Sequence, residues 1–340
     1  MVPQLNLGLE FGMGINGPNH AASIPGKLKV FNGNDQPGDF YAPRTTSLTT
    51  LVKNGANVLR LAFTWERLVP NMPKSLNGGG VVLNATYAAY IGKAIATATG
   101  AGGQVILDLH NYGRYYFRGT SGLNSNVLGD GTLQAEHLAQ TWKAIARKWG
   151  TNPRVMFGIM NEPHDLPDAG RTYVSGVIAS IREIRQISTR RIFVCGTDWS
   201  SLKRWVDTSA WVVKPIIDQK FANIVWDMHH YLDYDYSGQH DDCSITDHAA
   251  SFARTTQWLL ANNQKGFLGE IGTSPGACAT VMRNALNYLH ARPNQWIGFA
   301  YFSSGSAWGG ARPNYYIERA DGYIGGDQYN VVKSFQPKVL

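Results

Sequence analysis

Charged residues, cysteines and long hydrophobic runs are all scarce in this chain. Only 16% of its 340 residues are charged, while 44% are hydrophobic, a balance that excludes a disordered chain. No stretch approaches the ~18 uninterrupted apolar residues of a membrane-spanning helix, so we expect no span and no membrane partner. The first residues, MVPQLNLGLEFG, lack the basic and apolar regions of a signal peptide, and none is predicted in this sequence.

Positive charge is in excess but is not concentrated. The formal net charge is +7 and the pI is near 9.2, yet the densest basic group is the pair Arg190–Arg191. Proteins that bind nucleic acid carry a clustered basic patch or stripe. We therefore expect a mildly basic, solvated surface and no nucleic-acid partner.

The three cysteines are Cys195, Cys243 and Cys278. No two of them form a CxxC pair, which excludes a zinc ribbon and a thioredoxin-like motif. Composition allows one disulfide with one buried thiol, and it does not decide whether the disulfide forms.

Short apolar runs alternate regularly with amphipathic segments along the chain. Nearly continuous apolar runs such as VILDL, RVMFGIM and IGFAYF are typical of parallel strands covered on both faces, and the alternation is typical of βαβ units. We therefore predict an α/β fold, a single (β/α)8 TIM barrel that spans residues 1–340 as one domain; an open doubly wound sheet is the alternative. The predicted strands are Leu5–Leu9, Asn57–Phe63, Gln104–Leu109, Arg154–Met160, Arg191–Gly196, Asn223–Met228, Gly266–Gly269 and Trp296–Phe302. The predicted helices are Thr86–Thr99, Leu133–Trp149, Gly170–Ile187, His248–Asn262 and Ala277–His290.

The segment from Gly12 to Gly17 formally matches the dinucleotide-binding pattern GxGxxG. That pattern needs a helix that opens inside it, so that the pyrophosphate meets the helix N-terminus. The residues that follow, PNH and then SIPG, are typical of a loop. We therefore predict no nicotinamide, no flavin and no other cofactor.

Polar residues close six of the eight predicted strands, where a barrel carries its catalytic groups. Glu162 and Glu270 directly follow buried-strand patterns, and two carboxylates across a barrel mouth are what glycoside hydrolysis requires. A single glutamate at a strand end is more often a salt-bridge or cap partner, but convergence of the whole set favours one site. The residues at these strand ends are Arg60, His110, Asn111, Tyr112, Asn161, Glu162, His164, Asp198, Trp199, His229, His230, Tyr231 and Glu270.

Five segments carry a resemblance to a known family, and they extend in order over about two-thirds of the chain. The segments are LRLAFTWERLVP, VILDLHNYGRYY, VMFGIMNEPHD, DMHHYLDYDYSG and GFLGEIG. In them the chain resembles glycoside hydrolase family 5, specifically its subfamily 5 of endo-β-1,4-glucanases (cellulases). NEP alone is moderately specific for this barrel clan, whereas NEPHD together with HNYGRYY and HxYLDxDxSG is a strong signature.

The resemblance implies roles for four residues. Glu162, in the NEP motif, matches the acid/base, and Glu270, in GEIG, matches the nucleophile. Asn161 matches the residue that bonds the sugar 2-hydroxyl, and Arg60 matches the arginine that keeps the nucleophile ionised. The physical chemistry agrees, because a permanently charged arginine lowers the pKa of a neighbouring carboxyl, whereas burial favours a protonated acid.

The resemblance also places His110, His229 and Tyr231 in the sugar site, with Tyr231 near the nucleophile. Histidines do not predict a metal here, because the chain has no HExxH motif or comparable histidine spacing. His230 should point away from the barrel mouth if His229 points into it, since neighbours on a strand alternate faces.

Aromatic residues supply the remaining predicted contacts with sugar. Trp199 is the best candidate for a stacking platform, because Asp198-Trp199 matches the family's fifth strand end. Family members usually carry a tryptophan at the end of the eighth strand, whereas this chain aligns Phe302 there and has Trp308 six residues later. A smaller ring should weaken positioning of the sugar without abolishing the chemistry, unless the register is shifted.

In the resembling subfamily, cysteines at the positions of Cys243 and Cys278 form a disulfide, which leaves Cys195 as a buried free thiol. Disulfides seldom persist in the cytosol, so we expect a secreted or periplasmic protein.

We therefore predict a retaining endo-acting glycoside hydrolase that cleaves β-1,4-glucan such as cellulose or carboxymethylcellulose. Mannan, xylan and xyloglucan are alternative substrates within family 5, and a catalytically inactive carbohydrate-binding barrel is the alternative that needs no glutamate pair. An aldolase-type barrel would need a lysine at a strand end, and no predicted strand end carries one. The expected partner is a polysaccharide substrate, and the expected state is a monomer without a metal.

Overall fold

A computed structural model describes residues 6–12, 43–117, 126–273, 278–304, 317–318 and 323–335 of the chain. Eight parallel strands close a barrel in the order β1-β10-β9-β8-β7-β6-β3-β2, and β4 and β5 form a short antiparallel pair. The strands are β1 (Asn6–Gly12), β2 (Val58–Phe63), β3 (Gln104–Leu109), β4 (Arg114–Tyr115), β5 (Asn126–Val127), β6 (Val155–Gly158), β7 (Ile192–Cys195), β8 (Ile224–His229), β9 (Gly266–Ile271) and β10 (Trp296–Ser304). The predicted TIM barrel is confirmed, and the open sheet is wrong because β1 pairs with both β2 and β10.

Helices cover the outside of the barrel. They are α1 (Thr45–Lys53), α2 (Trp65–Leu68), α3 (Ala85–Gly100), α4 (Ala135–Trp149), α5 (Arg171–Arg185), α6 (Trp205–Thr208), α7 (Lys214–Asp218), α8 (Ala249–Ala261), α9 (Ala279–His290) and α10 (Asp327–Ser334). The five predicted helices are all present within two residues of their expected bounds. Sequence patterning misses α1, since its TTSLTTLVK segment is rich in β-branched residues that favour strands. None of the helices in the described ranges has the length and apolarity needed to cross a bilayer.

The interior of the barrel is built in layers by the alternation of strand side chains. One cluster takes a single apolar residue from each of seven strands: Val58, Ile106, Met156, Phe193, Val225, Phe267 and Ala300. Two residues further along six of these strands, side chains again face the interior, because the strand period is two. These positions hold Arg60, Asp108, Gly158, Cys195, Asp227 and Gly269. The apolar cluster is thus the floor on which a layer of charged and small residues lies.

Many of the aromatic side chains are buried in a larger apolar layer between the strands and the helices. Five tryptophans, Trp65, Trp142, Trp205, Trp226 and Trp296, are almost completely buried. Tyr115 is buried as well, with its ring edge-on to Trp65 and its hydroxyl bonded to the Val69 carbonyl. The abundance of aromatic residues therefore reflects packing as well as the site, and Tyr115 is a packing residue.

The predicted disulfide is confirmed. It joins Cys243, in the loop after β8, to Cys278 at the start of α9, and Cys195 is a buried free thiol. The bridge ties together two loops that follow neighbouring strands of the barrel.

Removing this bridge should destabilise the protein measurably. The linked cysteines are 35 residues apart, and closing a loop of that length restricts the unfolded chain by about 3–4 kcal/mol. We expect Cys243→Ser/Cys278→Ser to lose about that much free energy of unfolding in urea titrations. Reduced wild-type protein is the control and should unfold like the double variant. Peptide maps made without reductant that show three free thiols would contradict the assignment.

Candidate active site

Glu162 and Glu270 lie at the C-terminal ends of barrel strands, with the imidazole of His229 between them. Glu270 is in β9 and is 3% exposed, and Glu162 follows β6. Nδ1 of His229 is 2.5 Å from Oε1 of Glu162 and 3.5 Å from Oε2 of Glu270. One carboxylate oxygen of Glu162 lies within 4.8 Å of one of Glu270. The barrel therefore brings the two predicted carboxylates into one site.

The backbone at Glu162 is in the left-handed region, with φ at 42°, where non-glycine residues are uncommon and often functional. Its neighbour Asn161 is held on both sides: its N–H donates to the Leu109 carbonyl, and its own carbonyl accepts from Tyr112. The loop after β3 thus clamps the NEP segment and sets the direction in which Glu162 leaves the strand.

Arg60 is the centre of a buried charge network. Its guanidinium donates through Nη1 to Oε1 of Glu270 at 3.0 Å and through Nη2 to Oδ1 of Asn161 at 2.5 Å. Nη2 also lies 3.1 Å from Oδ1 of Asp108, and Nε lies 3.5 Å from Oδ2 of Asp227. One planar cation therefore contacts three buried carboxylates and orients Glu270.

His110 and Asn161 extend this network by defined hydrogen bonds. Nδ1 of His110 is 2.8 Å from Oδ2 of Asp108, so this nitrogen carries the hydrogen. Nε2 then accepts from Nδ2 of Asn161 at 3.1 Å. The same bonds orient the Asn161 amide, whose oxygen faces Arg60 and whose nitrogen faces His110.

Tyr231 and Phe302 complete the wall beside Glu270. The Tyr231 hydroxyl donates to Oε2 of Glu270 at 2.5 Å. The Phe302 ring packs edge-on to the Tyr231 ring, with centroids 5.9 Å apart. The Phe302 ring therefore lies against the tyrosine that donates to Glu270. Trp308 lies outside the described residues.

The electrostatics separate the two glutamates. Burial raises the pKa of Glu162, and the negative charge of Glu270 raises it further. Burial acts in the same direction on Glu270, but the charges of His229 and Arg60 outweigh it and lower the pKa of Glu270 to about 2. Burial opposes the charged form of His229, yet Glu270 and Glu162 raise its pKa well above the usual range. One carboxyl therefore tends to keep its proton while the other stays ionised.

A cleft of about 1140 Å³ includes this cluster, and Glu162, His229 and Tyr231 are among the residues that line it. Trp199 lies on its wall, 43% exposed, with its ring stacked on His164 at 4.3 Å between centroids. Three consecutive residues, Asp198, Trp199 and Ser200, have positive φ values between 54° and 60°. This left-handed turn after β7 presents the indole to the cleft.

Two buried carboxylates of the site, Asp108 and Asp227, are absent from the sequence predictions. Each interrupts an apolar strand, in VILDL and in IVWDMH, and an acid inside a buried strand is the signal that could have identified them. His230 lies on the opposite face of β8 from the site, where Nε2 contacts Nδ1 of His248 at 2.9 Å, as alternation predicts.

Three groups of described residues bring metal-ligating atoms within 4.8 Å of one another. In one of them Glu162, His229 and Glu270 already contact one another, so a cation would have to displace those contacts. In the third, the Asp233 oxygens accept from the backbone of Gly238 and His240. The groups are Glu162/His229/Glu270, Cys195/Asp227/His229 and Asp233/Asp235/His240.

Comparison with known proteins gives one consistent result. The sequence profile of Cellulase (glycosyl hydrolase family 5) matches residues 21–305. A probable endo-beta-1,4-glucanase B of Neosartorya fischeri is 30% identical over 306 residues, which are 87% of this chain and 85% of that protein. Endoglucanase 1 of Robillarda sp. is 32% identical over 271 residues, 77% of this chain and 68% of the other.

Solved structures agree with the sequence relatives. An endo-beta-1,4-glucanase from Xanthomonas axonopodis pv. citri superposes with a TM-score of 0.80 at 25% identity and covers 98% of each chain. The structure of XacCel5A in complex with cellopentaose superposes with a TM-score of 0.78 at 26% identity, covering 97% of this chain and 99% of that one.

Proposed function

Because the chain belongs to glycosyl hydrolase family 5, we propose that it is a retaining endo-β-1,4-glucanase that works by double displacement. The observation that carries the mechanism is the short distance between the glutamates, whose nearest ligand oxygens lie within 4.8 Å. Retaining glycosidases hold their carboxyl groups about 5–5.5 Å apart, whereas inverting enzymes leave about 6.5–9.5 Å for a water molecule.

In the first step, Glu270 attacks the anomeric carbon and Glu162 protonates the departing glycosidic oxygen. Arg60 and Tyr231 bind the Glu270 carboxylate and keep it ionised and aimed, while burial keeps the proton on Glu162. Asn161 stands beside Glu162 with its amide oriented by Arg60 and His110, in position to contact a sugar hydroxyl.

In the second step, the glycosyl ester neutralises Glu270, so the like charge that favoured a protonated Glu162 disappears. The pKa of Glu162 falls, and its carboxylate takes a proton from a water molecule that attacks the anomeric carbon; the bond from that carbon to Glu270 breaks and the Glu270 carboxylate is released. The product keeps the original anomeric configuration.

The proposed substrate is β-1,4-glucan in soluble or amorphous form. The names of the relatives support it, and one superposed structure contains cellopentaose. The aromatic cleft fits a chain of sugars, whose faces stack on rings such as Trp199. We further propose that residues 1–340 act as one catalytic domain and that the protein is exported, which the disulfide favours.

A substrate panel tests this function. Release of reducing ends from carboxymethylcellulose, mannan, xylan and xyloglucan should be fastest on the glucan, and proton NMR of fresh product should show the β-anomer. Faster release of reducing ends from another polysaccharide would identify that polysaccharide as the preferred substrate. An α-anomer as the first product would refute the retaining mechanism.

Trp199 gives a prediction about binding of long chains. Trp199→Ala should raise KM for cellopentaose about fivefold, because a stacked ring contributes about 1 kcal/mol, with little change in kcat. Trp211→Ala is the matched control, since Trp211 is 60% exposed and does not line the cleft. Equal KM values for the two variants would show that Trp199 contacts no sugar.

A further inference from the structure

His229 has acidic groups beside both of its ring nitrogens. Nδ1 faces Glu162 and Glu270, as described above, and Nε2 lies 3.8 Å from Oδ1 of Asp227. Both side chains are almost fully buried, and within the described residues neither Nε2 nor this Oδ1 has a hydrogen-bond partner. At 3.8 Å the two atoms are too far apart for a hydrogen bond, but opposite charges at that distance interact strongly in a buried place.

The partners of His110, the other histidine of the charge network, differ from those of His229. His110 meets a carboxylate at Nδ1, and it meets the Asn161 amide and the Tyr112 hydroxyl at Nε2. His229 meets the carboxylates of Glu162 and Glu270 at Nδ1, and Oδ1 of Asp227 is near Nε2, while the Cys195 thiol also lies close to the ring. Its surroundings therefore favour the imidazolium, which carries a hydrogen on each nitrogen.

Neighbouring strands of the barrel fix the position of the Asp227 side chain. A Cβ at Gly269, on the neighbouring strand β9, would lie 1.7 Å from Oδ1 of Asp227, so only glycine leaves room for this carboxylate. Its other oxygen, Oδ2, lies 3.5 Å from Nε of Arg60. The aspartate is thus held between Arg60 and His229.

We propose that Asp227 is a positioning residue that keeps His229 oriented and doubly protonated, so that Nδ1–H donates to Glu162. The proposal rests on the proposed function for its role in the reaction. When Glu162 gives its proton to the leaving group, this N–H stabilises the carboxylate that remains. Glu270 is an uncharged ester at that stage. Asp227 is therefore the acidic neighbour of His229 that keeps its negative charge throughout the reaction.

The other groups around His229 agree with this assignment. Burial raises the pKa of the Cys195 thiol to about 11, so Cys195 is neutral. Burial also raises the pKa of Asp227 to about 6, with Arg60 and His229 opposing the increase, so Asp227 is ionised above that pH. The titratable and charged groups that face His229 or its carboxylate neighbours are Arg60, Asp108, His110, Glu162, Cys195, Asp227, Tyr231 and Glu270.

Nitrogen NMR of the histidine rings tests the proposal without reference to any substrate. Wild-type protein labelled with ¹⁵N-histidine should show both His229 nitrogens protonated at pH 7, the signals being assigned with His229→Asn. In Asp227→Asn, the His229 acid dissociation constant should rise about tenfold or more, since a charge within about 4–6 Å is lost. Asp108→Asn is the matched control, because it removes an equal charge from Arg60 and His110, and its effect on His229 should be smaller.

The pH dependence of activity is a second measurement, and a purely structural role for Asp227 would not shift it. Losing a negative charge lowers the pKa of His229 and Glu162, so the alkaline limb of kcat against pH should shift downward by about one pH unit in Asp227→Asn. A neutral His229 in the wild type would overturn the proposal even if the variant failed to fold. Equal His229 shifts in Asp227→Asn and Asp108→Asn would also overturn it. If the wild-type protein cleaves none of the polysaccharides, the proposed function is refuted. The NMR experiment tests the protonation of His229 independently of that result.

Discussion

Glu270→Gln is expected to lower turnover on β-glucan by about 10⁴-fold or more, the scale of loss when a hydrolase loses its covalent nucleophile. The amide has nearly the same shape, and its single oxygen can still accept from Arg60 while its NH2 group faces the Tyr231 hydroxyl, but it cannot form the glycosyl ester. Glu162→Gln should cost about 10²–10⁴-fold on substrates with poor leaving groups, the range of general acid catalysis.

The leaving group separates the two roles. An aryl cellobioside with a good leaving group needs no proton in the first step, so Glu162→Gln should form the glycosyl-enzyme at a near-native rate. Glu270→Gln should not form it with any substrate. Glu183→Gln is the control, because this glutamate pairs with Lys143 on the helical surface. Near-native turnover by either active-site variant on unactivated glucan would refute the assignment.

Arg60→Met is expected to lower the free energy of unfolding by about 3–5 kcal/mol, the cost of leaving buried charge unpaired. Its guanidinium contacts Asp108, Asp227 and Glu270, and all three are at most 3% exposed. Urea unfolding monitored by tryptophan fluorescence measures the loss. Arg254→Met is the control, since Arg254 and Asp207 form an exposed bidentate pair that should matter little.

The pH dependence of this loss has a definite sign. In wild type, the lowered pKa of Glu270 contributes stability that is present above the ordinary glutamate value and disappears as pH falls toward about 2. Without Arg60, burial raises the carboxyl pKa values, so the folded variant binds more protons than its unfolded state and loses stability as pH rises. The deficit of Arg60→Met should therefore be larger at pH 7 than at pH 4. An equal deficit at both values would mean that Arg60 acts through packing rather than charge.

Local patterns predict the strands and the position of the site well. Runs such as VILDL and GFLGE are apolar because both faces of a barrel strand are covered, and the polar residue that follows marks the open end. The same reasoning misses α1, where the burial of Leu48 and Leu51 outweighs weak helix propensity.

The partners of Asp108 and Asp227 could not be predicted from local sequence patterns. An acid inside an apolar run signals a buried carboxylate, but it does not reveal which distant residue neutralises it. Only closure of the barrel brings Arg60, on β2, to Asp227 on β8 and Glu270 on β9. The identity of the partner is a long-range contact, and long-range contacts leave no period in a sequence.

The order of residues along the chain thus predicts the barrel and the family resemblance, because both depend on local pattern or on short motifs, and the resemblance in turn implies the glutamate pair and the disulfide partners. The folded arrangement decides how the protons are shared. Glu162 and Glu270 are chemically identical side chains that share His229. They differ because Glu270 also accepts from Arg60 and Tyr231, while the charge of Glu270 itself raises the pKa of Glu162. A pKa depends on distances of a few ångströms between groups far apart in the chain, and those distances exist only after the barrel has closed.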